Sequence, residues 1–200
     1  IVEKFEKRCR DFFGKLWPAE EKRLVFGEGK KDKPRLMLIG EAPGEQETLQ
    51  GRPFVGKAGK NLDGFLAAVG LKREEIFISN VVKIRPTRVS EKGRVSNRAP
   101  SAEELALFTP YLYEEILLVR PGAIVTLGNV PLHAVLDAHT TIGERHGRLA
   151  EATIRTEKEA AGFPVYPLYH PASIIYNRAL AQTYQDDLHK LRELLDDHVI

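Results

Sequence analysis

Four short, almost wholly apolar runs constrain the fold of this chain more than any other feature. They span 35–40, 76–82, 123–128 and 165–169. Each run lacks the apolar/polar alternation of a half-exposed strand, which is typical of strands buried on both faces of a parallel sheet. Apolar residues at helical spacing predict helices over 3–17, 58–69, 101–118 and 178–197. The alternation predicts an α/β fold, a three-layer α/β/α sandwich around a central, mainly parallel four-stranded sheet.

The composition limits which partners are possible. The chain has 200 residues, of which 42% are hydrophobic, so we expect one domain over 1–200 with a sizeable core. Thirty basic residues against 28 acidic ones give a formal net charge of +2. That balance excludes a field strong enough to hold nucleic acid by overall charge, so any such site must be a local patch.

The single cysteine, Cys9, excludes several kinds of site. One thiol cannot form an internal disulfide, a structural zinc site of the cysteine type or an all-cysteine iron–sulfur cluster. A lone thiol fits a reducing compartment, and we expect a cytoplasmic location. No apolar run reaches the ~18 residues of a membrane span, so we expect no membrane partner. The histidines show no repeated metal-ligand spacing, so we expect no metal site. We also expect the protein to be a monomer.

Polar residues follow three of the predicted strands at their carboxyl ends. Glu41 lies in the glycine-flanked turn 40–44, Asn80 follows the second run, and His170 follows the fourth. Ligands of open α/β sheets bind beyond the carboxyl ends of the strands, so a carboxylate, an amide and an imidazole are expected to converge there.

Each of these features also has a purely structural interpretation. Glu41 could be a solvated residue of a structural turn, and Asn80 could cap a helix or pin a loop. Phe54, in the glycine-flanked loop 51–56, either covers the core or offers its ring for stacking on a planar ligand. Glu47 is either a second carboxylate of the site or a solvated loop charge, and the second interpretation is favoured.

Residues 83–98 are strongly basic for a chain of such balanced charge. They contain one acidic residue, Glu91, and six basic ones: Lys83, Arg85, Arg88, Lys92, Arg94 and Arg98. Serine, proline and glycine between them predict a loop. Such a run is usually a solvated surface, but its position after a candidate ligand-binding strand end favours a loop that contacts phosphates.

Six segments, in order along the chain, resemble the motifs of one enzyme family. They are 25–29, 40–44, 51–59, 80–86, 125–128 and 169–172. Together they resemble the uracil-DNA glycosylase superfamily, specifically family 4 and its close relatives. The resemblance implies a three-layer α/β/α fold. It also implies excision of uracil from DNA by base flipping, the first step of base excision repair, with uracil-containing DNA as the partner.

The resemblance assigns roles to particular positions. Glu41 and His170 match the catalytic residues, and Phe54 and Asn80 match residues that stack on the flipped uracil and read its Watson–Crick edge. Gly40 and Ala42 complete the base-binding set. The expected DNA contacts are Pro43, Gly44, Lys83, Arg85, Arg88, Lys92, Arg94, Ser173 and Ile174, with Ile174 as the wedge that fills the vacated stack.

The chain departs from family 4 in two ways. Family 4 enzymes carry a four-cysteine [4Fe–4S] cluster, but Ile84 and Phe108 stand at two of the cysteine positions and the N-terminal cysteine pair is missing. We expect no cofactor, with Ile84, Phe108 and Trp17 filling that volume by apolar packing. The basic segment 87–98 is also longer than the usual family 4 connection.

Three other functions remain open from the sequence. The first is a glycosylase for another deaminated base, such as hypoxanthine or xanthine. The second is a non-catalytic homologue that binds damaged DNA. The third is a small α/β hydrolase of free nucleosides or nucleotides, which the basic loop argues against.

Overall fold

The structure is a computed structural model that describes residues 1–17, 22–136 and 138–200. The helices in this part of the chain are α1 (Val2–Leu16), α2 (Glu45–Gln50), α3 (Lys57–Val69), α4 (Ala102–Val119), α5 (Asn129–Val135), α6 (Ile142–Arg145), α7 (Pro171–Tyr176) and α8 (Leu180–Asp196). The strands are β1 (Glu28–Gly29), β2 (Leu36–Gly40), β3 (Phe77–Asn80), β4 (Thr87–Val89), β5 (Val95–Asn97), β6 (Ala123–Leu127), β7 (Ala150–Arg155) and β8 (Ala160–Leu168). A 3-10 turn spans Arg73–Glu75.

The predicted sandwich is confirmed, but its sheet has more strands than expected. Within the described residues six strands pair in the order β1-β3-β2-β6-β8-β7. The four central strands are the predicted ones and run parallel. The two edge strands, β1 and β7, are antiparallel to their neighbours. The four-stranded prediction missed them because β1 has only two residues and β7 carries polar residues on its exposed face.

Strand alternation divides the core into two layers, one on each face of the sheet. In β2, Met37 and Ile39 belong to the cluster under α1 and α4, whereas Leu36 and Leu38 belong to the cluster under α3 and α8. All four side chains are fully buried, as expected for a strand covered on both faces. The apolar runs therefore hold the carboxyl ends of the central strands in a rigid frame.

The four predicted helices are confirmed, with ends within a few residues of the predicted ones. The segment predicted as a loop at 83–98 is different. It contains a two-stranded antiparallel ribbon in which β4 pairs with β5, Thr87 opposite Asn97 and Val89 opposite Val95. Gly93 has a φ of 75°, which provides the turn between the strands. In the described ranges, no helix is long and apolar enough to cross a membrane.

Candidate active site

The site lies where the sheet changes its direction of winding. The chain passes from β2 to β3 on one side and then to β6 on the other side of β2. Such a switch point opens a crevice beyond the carboxyl ends of the strands. Gly40 ends β2, Asn80 ends β3, Gly128 follows β6, and His170 follows β8. The predicted convergence of polar residues therefore has a structural basis.

Gly40 forms the floor of this crevice, with Asn80 and Phe54 directly against it. Gly40 and Asn80 are register partners in the sheet. A Cβ atom on Gly40 would lie 2.5 Å from Oδ1 of Asn80 and 2.5 Å from Cζ of Phe54. Only glycine lets the amide and the ring approach the end of the strand so closely. The structure thus brings together three of the four predicted base-binding residues.

Phe54 is held in a backbone conformation that its side chain disfavours. Its φ is 52°, in the left-handed region, where a bulky residue costs roughly 1–3 kcal/mol. Arg73 offsets this cost by donating from its guanidinium to the carbonyl oxygens of Phe54 (3.0 Å) and Pro53 (2.5 Å). Gly59 leaves room for the carbonyl group of Phe54, since a Cβ atom on residue 59 would collide with it.

Glu47 holds the same loop from the other side and joins it to the Glu41 turn. Its Oε1 accepts from the backbone N–H groups of Val55 (2.9 Å) and Gly56 (2.7 Å). Its Oε2 accepts from the N–H of Gly44 (3.1 Å). The interpretation of Glu47 as a solvated loop charge is therefore wrong, because this carboxylate links two turns of the site. A glutamate three residues after the N-cap of a helix can accept a hydrogen bond from the N–H of that N-cap residue, and the spacing of Gly44 and Glu47 fits this sequence pattern.

His170 faces Phe54 across the crevice. The two ring centroids are 6.2 Å apart and the planes are inclined by 29°. Nδ1 of His170 accepts a hydrogen bond from the N–H of Ala172 at 3.1 Å, so the proton of the neutral ring lies on Nε2. Burial lowers the pKa of His170, because it disfavours the charged ring. The crevice therefore contains a neutral imidazole whose Nε2–H forms no hydrogen bond with the described residues.

Glu41 directly follows the end of β2 and is half-buried. Its backbone is fixed, since the N–H of Val82 donates to the carbonyl oxygen of Glu41 at 3.0 Å. Burial raises the pKa of the Glu41 carboxyl, because a charged carboxylate is less well solvated there. A carboxylate of raised pKa at a cleft is a common feature of acid–base sites.

The remaining residues of the two turns contribute unequally. Ala42 packs against the core cluster beneath α1 and α4. Pro43 is buried and shapes the turn, whereas Gly44 and Ser173 are half-exposed. Ile174 is half-buried and packs against the cluster beneath α3 and α8, so its role as a wedge stays a prediction.

Lys83 corrects one sequence prediction. It was expected to contact DNA, but its side chain is only 2% exposed. Its ammonium group donates to Glu115 Oε2 (2.6 Å), Ser79 Oγ (2.5 Å) and the carbonyl oxygen of Asn80 (2.8 Å). The prediction of Lys83 as a phosphate contact is wrong, because a charge that is buried and paired is not available to DNA.

The other basic residues of this segment divide into two groups. Arg98 forms a bidentate pair with Glu104, and Arg85 contacts Glu45 at 3.6 Å and Asn97 Oδ1 at 2.7 Å. Three basic residues are exposed and form no ion pair within the described residues: Arg88, Lys92 and Arg94. All three lie on the β4–β5 ribbon.

Comparison with known proteins identifies the family. A family model described as the uracil DNA glycosylase superfamily matches residues 26–195, which include the whole crevice. The chain belongs to this superfamily. The matched range also spans the edge strands and the ribbon.

The chain is similar in sequence to known glycosylases over most of its length. It is 38% identical over 195 residues to a type-4 uracil-DNA glycosylase of Sulfurisphaera tokodaii, covering 94% of this chain and 79% of that protein. It is 34% identical to the type-4 enzyme of Thermotoga maritima, covering 86% and 83%. A crystal structure of wild-type Pedobacter heparinus SMUG2 matches with a TM-score of 0.54 at 17% identity, covering 82% of this chain and 77% of that one, and supports the fold.

The residues present do not fit the iron–sulfur cluster of family 4. Ile84 and Phe108, which the resemblance places at two of the cysteine positions, are buried in the core. The ring of Phe13 stacks on Phe108 (4.7 Å) and on Trp17 (5.3 Å). Burial raises the pKa of the Cys9 thiol to about 11, which disfavours the thiolate that ligates iron. In the described part of the chain, no group of three or more metal-binding side chains comes together.

Proposed function

We propose that this chain excises uracil from DNA by hydrolysing the bond between C1′ of the sugar and N1 of the base. The observation that carries the proposal is that Asn80 and Phe54 both lie against Gly40, while the ring centroid of the neutral His170 is 6.2 Å from that of Phe54. In the proposal, these four positions line the pocket for one flat, polar-edged ring. The relatives named type-4 uracil-DNA glycosylases support the same activity.

Access to this pocket requires a flipped nucleotide. Gly40, Phe54 and Asn80 lie at the bottom of the crevice, and Phe54 and Asn80 are almost completely buried. A base stacked in a duplex cannot reach that depth, so the nucleotide must rotate out of the helix. In the proposal, the half-exposed Gly44 and Ser173 hold the flanking phosphates.

Asn80 and Phe54 would select the base. A base stacked on Phe54 gains about 1–3 kcal/mol, whatever its identity. The Asn80 amide can donate to O4 of uracil and accept from its N3–H. Cytosine presents the opposite pattern at these two positions, and its pairing groups would then be left unsatisfied at a cost of roughly 1–3 kcal/mol each.

His170 and Glu41 would lower the barrier to bond cleavage. The bond breaks toward a sugar with oxocarbenium character and a uracil anion, whose negative charge develops on O2. The Nε2–H of His170 donates to that oxygen, and a preorganised donor of this kind is worth roughly 3–4 kcal/mol. The Glu41 carboxylate orients the attacking water and stabilises the positive sugar, and general-base assistance contributes about 10²–10⁴-fold.

These two side chains supply the charge stabilisation that the reaction needs, so we propose that it proceeds without a metal ion. We also propose that residues 1–200 act as one catalytic domain and as a monomer.

The proposal is tested by cleavage of labelled oligonucleotides that contain one uracil, hypoxanthine or xanthine. Alkali reveals abasic sites, and EDTA is present throughout. We expect excision of uracil, and at least a 100-fold loss in His170→Ala and Glu41→Gln, of the order expected for such groups. His189→Ala is the matched control, because His189 is 75% exposed on α8.

The possible results separate the alternatives. Excision of hypoxanthine or xanthine but not uracil would show that the site acts on another deaminated base. Tight binding without excision of any base would indicate a non-catalytic homologue. Full activity in both His170→Ala and Glu41→Gln would refute the assignment of the catalytic residues.

A further inference from the structure

The β4–β5 ribbon carries its side chains in two distinct sets. Residues that face each other across an antiparallel pair lie on the same side, and successive residues alternate. Arg88 pairs with Ser96, and the N–H of Arg94 donates to Oγ of Ser90 at 3.1 Å. One side therefore bears two guanidinium groups and two hydroxyls, while Val89 and Val95 share the other side.

The basic side has the chemistry of a phosphate-binding surface. Arg88, Ser90, Arg94 and Ser96 line one open cavity, to which Lys92 and the single acidic residue Glu91 at the turn, and Val89, also contribute. Nε of Arg88 donates to Oγ of Ser96 at 3.2 Å, which holds the guanidinium over this cavity. Arginine and serine side chains are common donors to the phosphate oxygens of DNA.

The ribbon stands away from the body of the protein but its base is fixed beside the active site. Val89 and Val95 are 67% and 51% exposed, although they are strand residues. At the base, Oδ1 of Asn97 accepts from Arg85, and Nδ2 of Asn97 lies 3.5 Å from the position of a Cβ on Gly44. Arg98 also donates to the carbonyl oxygen of Thr87 at 2.9 Å.

The length of the ribbon indicates which strand of DNA it meets. From the Thr87–Asn97 pair to the turn there are four residue steps, or roughly 13 Å at about 3.3 Å per residue. The grooves of B-DNA are about 6 Å and 12 Å wide. A ribbon fixed at the Gly44 turn, where the uracil strand is bound in the proposed function, is long enough to cross a groove to the opposite backbone.

We propose that the basic side of the ribbon binds the phosphate backbone of the DNA strand opposite uracil, and so favours duplex over single-stranded substrate. This inference rests on the proposed function for the position of the uracil strand. The exposed basic residues of the ribbon form no ion pair within the described ranges, so they are available to phosphates.

The test compares the double variant Arg88→Ala/Arg94→Ala with the parent on the same uracil oligonucleotide, single-stranded and annealed. We expect affinity and kcat/KM for the duplex to fall by about tenfold, and the slope of log Kd against log salt to decrease by about 2. On the single strand, both quantities should stay within about twofold of the parent.

Arg155→Ala/Lys158→Ala is the matched control, because it removes two exposed basic residues from the β7–β8 hairpin. Equal losses on both substrates would overturn the proposal, since the ribbon would then contact the uracil strand itself. No loss on either would overturn it as well. If the proposed function is wrong, the result differs, because the parent protein then excises nothing. The dissociation constants for duplex and single-stranded DNA would still test the role of the ribbon.

Discussion

Lys83 offers the sharpest test of the structure, because sequence and structure predict different consequences of removing its charge. Lys83→Met keeps most of the apolar stem and deletes the ammonium group. In the structure, this change leaves the Glu115 carboxylate, 1% exposed, without its cation. It also removes the donor that binds Ser79 and the carbonyl oxygen of Asn80. The sequence interpretation, a phosphate contact, predicts weaker DNA binding and an unchanged fold.

The expected loss of stability follows from this geometry. Removing one partner of a buried ion pair costs about 3–5 kcal/mol, because the remaining charge stays buried and unpaired. For a chain of this size, 1 kcal/mol corresponds to about 2–4 °C in Tm, so Lys83→Met should lower Tm by roughly 6–20 °C. Lys83→Met/Glu115→Leu removes both charges and should recover most of that loss.

The assay is thermal unfolding followed by circular dichroism, with duplex affinity measured in parallel. Arg88→Met serves as the control, since Arg88 is an exposed residue of the same basic segment. It should keep its Tm and lose affinity. A Tm for Lys83→Met within about 2 °C of the parent, together with a loss of DNA affinity, would refute the reasoning. If Lys83→Met does not fold, a folded double variant still supports the pair.

Three further predictions follow from the site and the core. Because burial raises the pKa of Glu41, this carboxylate should become protonated at a higher pH than an ordinary glutamate, and kcat/KM should fall as the pH decreases through that range. The residual activity of Glu41→Gln should not show this acidic decrease. A parent pH profile that is flat down to about pH 4 would contradict the prediction. Glu47→Gln should release the Phe54 loop and lower kcat/KM by about tenfold while Tm falls little, whereas parent-like kinetics would show that this link is unnecessary. Phe108→Ala should cost about 3–5 kcal/mol of unfolding free energy, measured by urea denaturation, and a loss below about 1 kcal/mol would contradict its place in the core.

The sequence predicted the features that depend on local patterns. The four central strands were recognisable because runs such as 36–40 and 123–127 are apolar on both faces. The convergence of Glu41, Asn80 and His170 followed from their places at the ends of these strands. The sequence of β7 also carries a local pattern, because the buried Ala152 and Ile154 alternate with exposed neighbours in the period of two that is typical of a half-buried strand.

The remainder depends on contacts between residues far apart in the chain. Nothing near Lys83 indicates that its partner is Glu115, 32 residues later. Arg73 likewise reaches Phe54, 19 residues earlier, and no local pattern marks it. The sequence did not predict the ribbon, because its strands contain mainly basic and hydroxyl residues beside single valines, and this pattern does not resemble a half-buried strand.

The hydrogen bond between His170 and Ala172 gives one ring two roles. Nδ1 accepts the N–H at the start of α7, so the ring that donates through Nε2 is also the cap of the helix that carries Ser173. A proton on Nδ1 would remove this acceptor and leave two donors opposed. Acidification would therefore charge the imidazole and loosen the first turn of α7 together, so that in the proposed function a single protonation would affect both the cleavage of the base and the contact of Ser173 with the flanking phosphate.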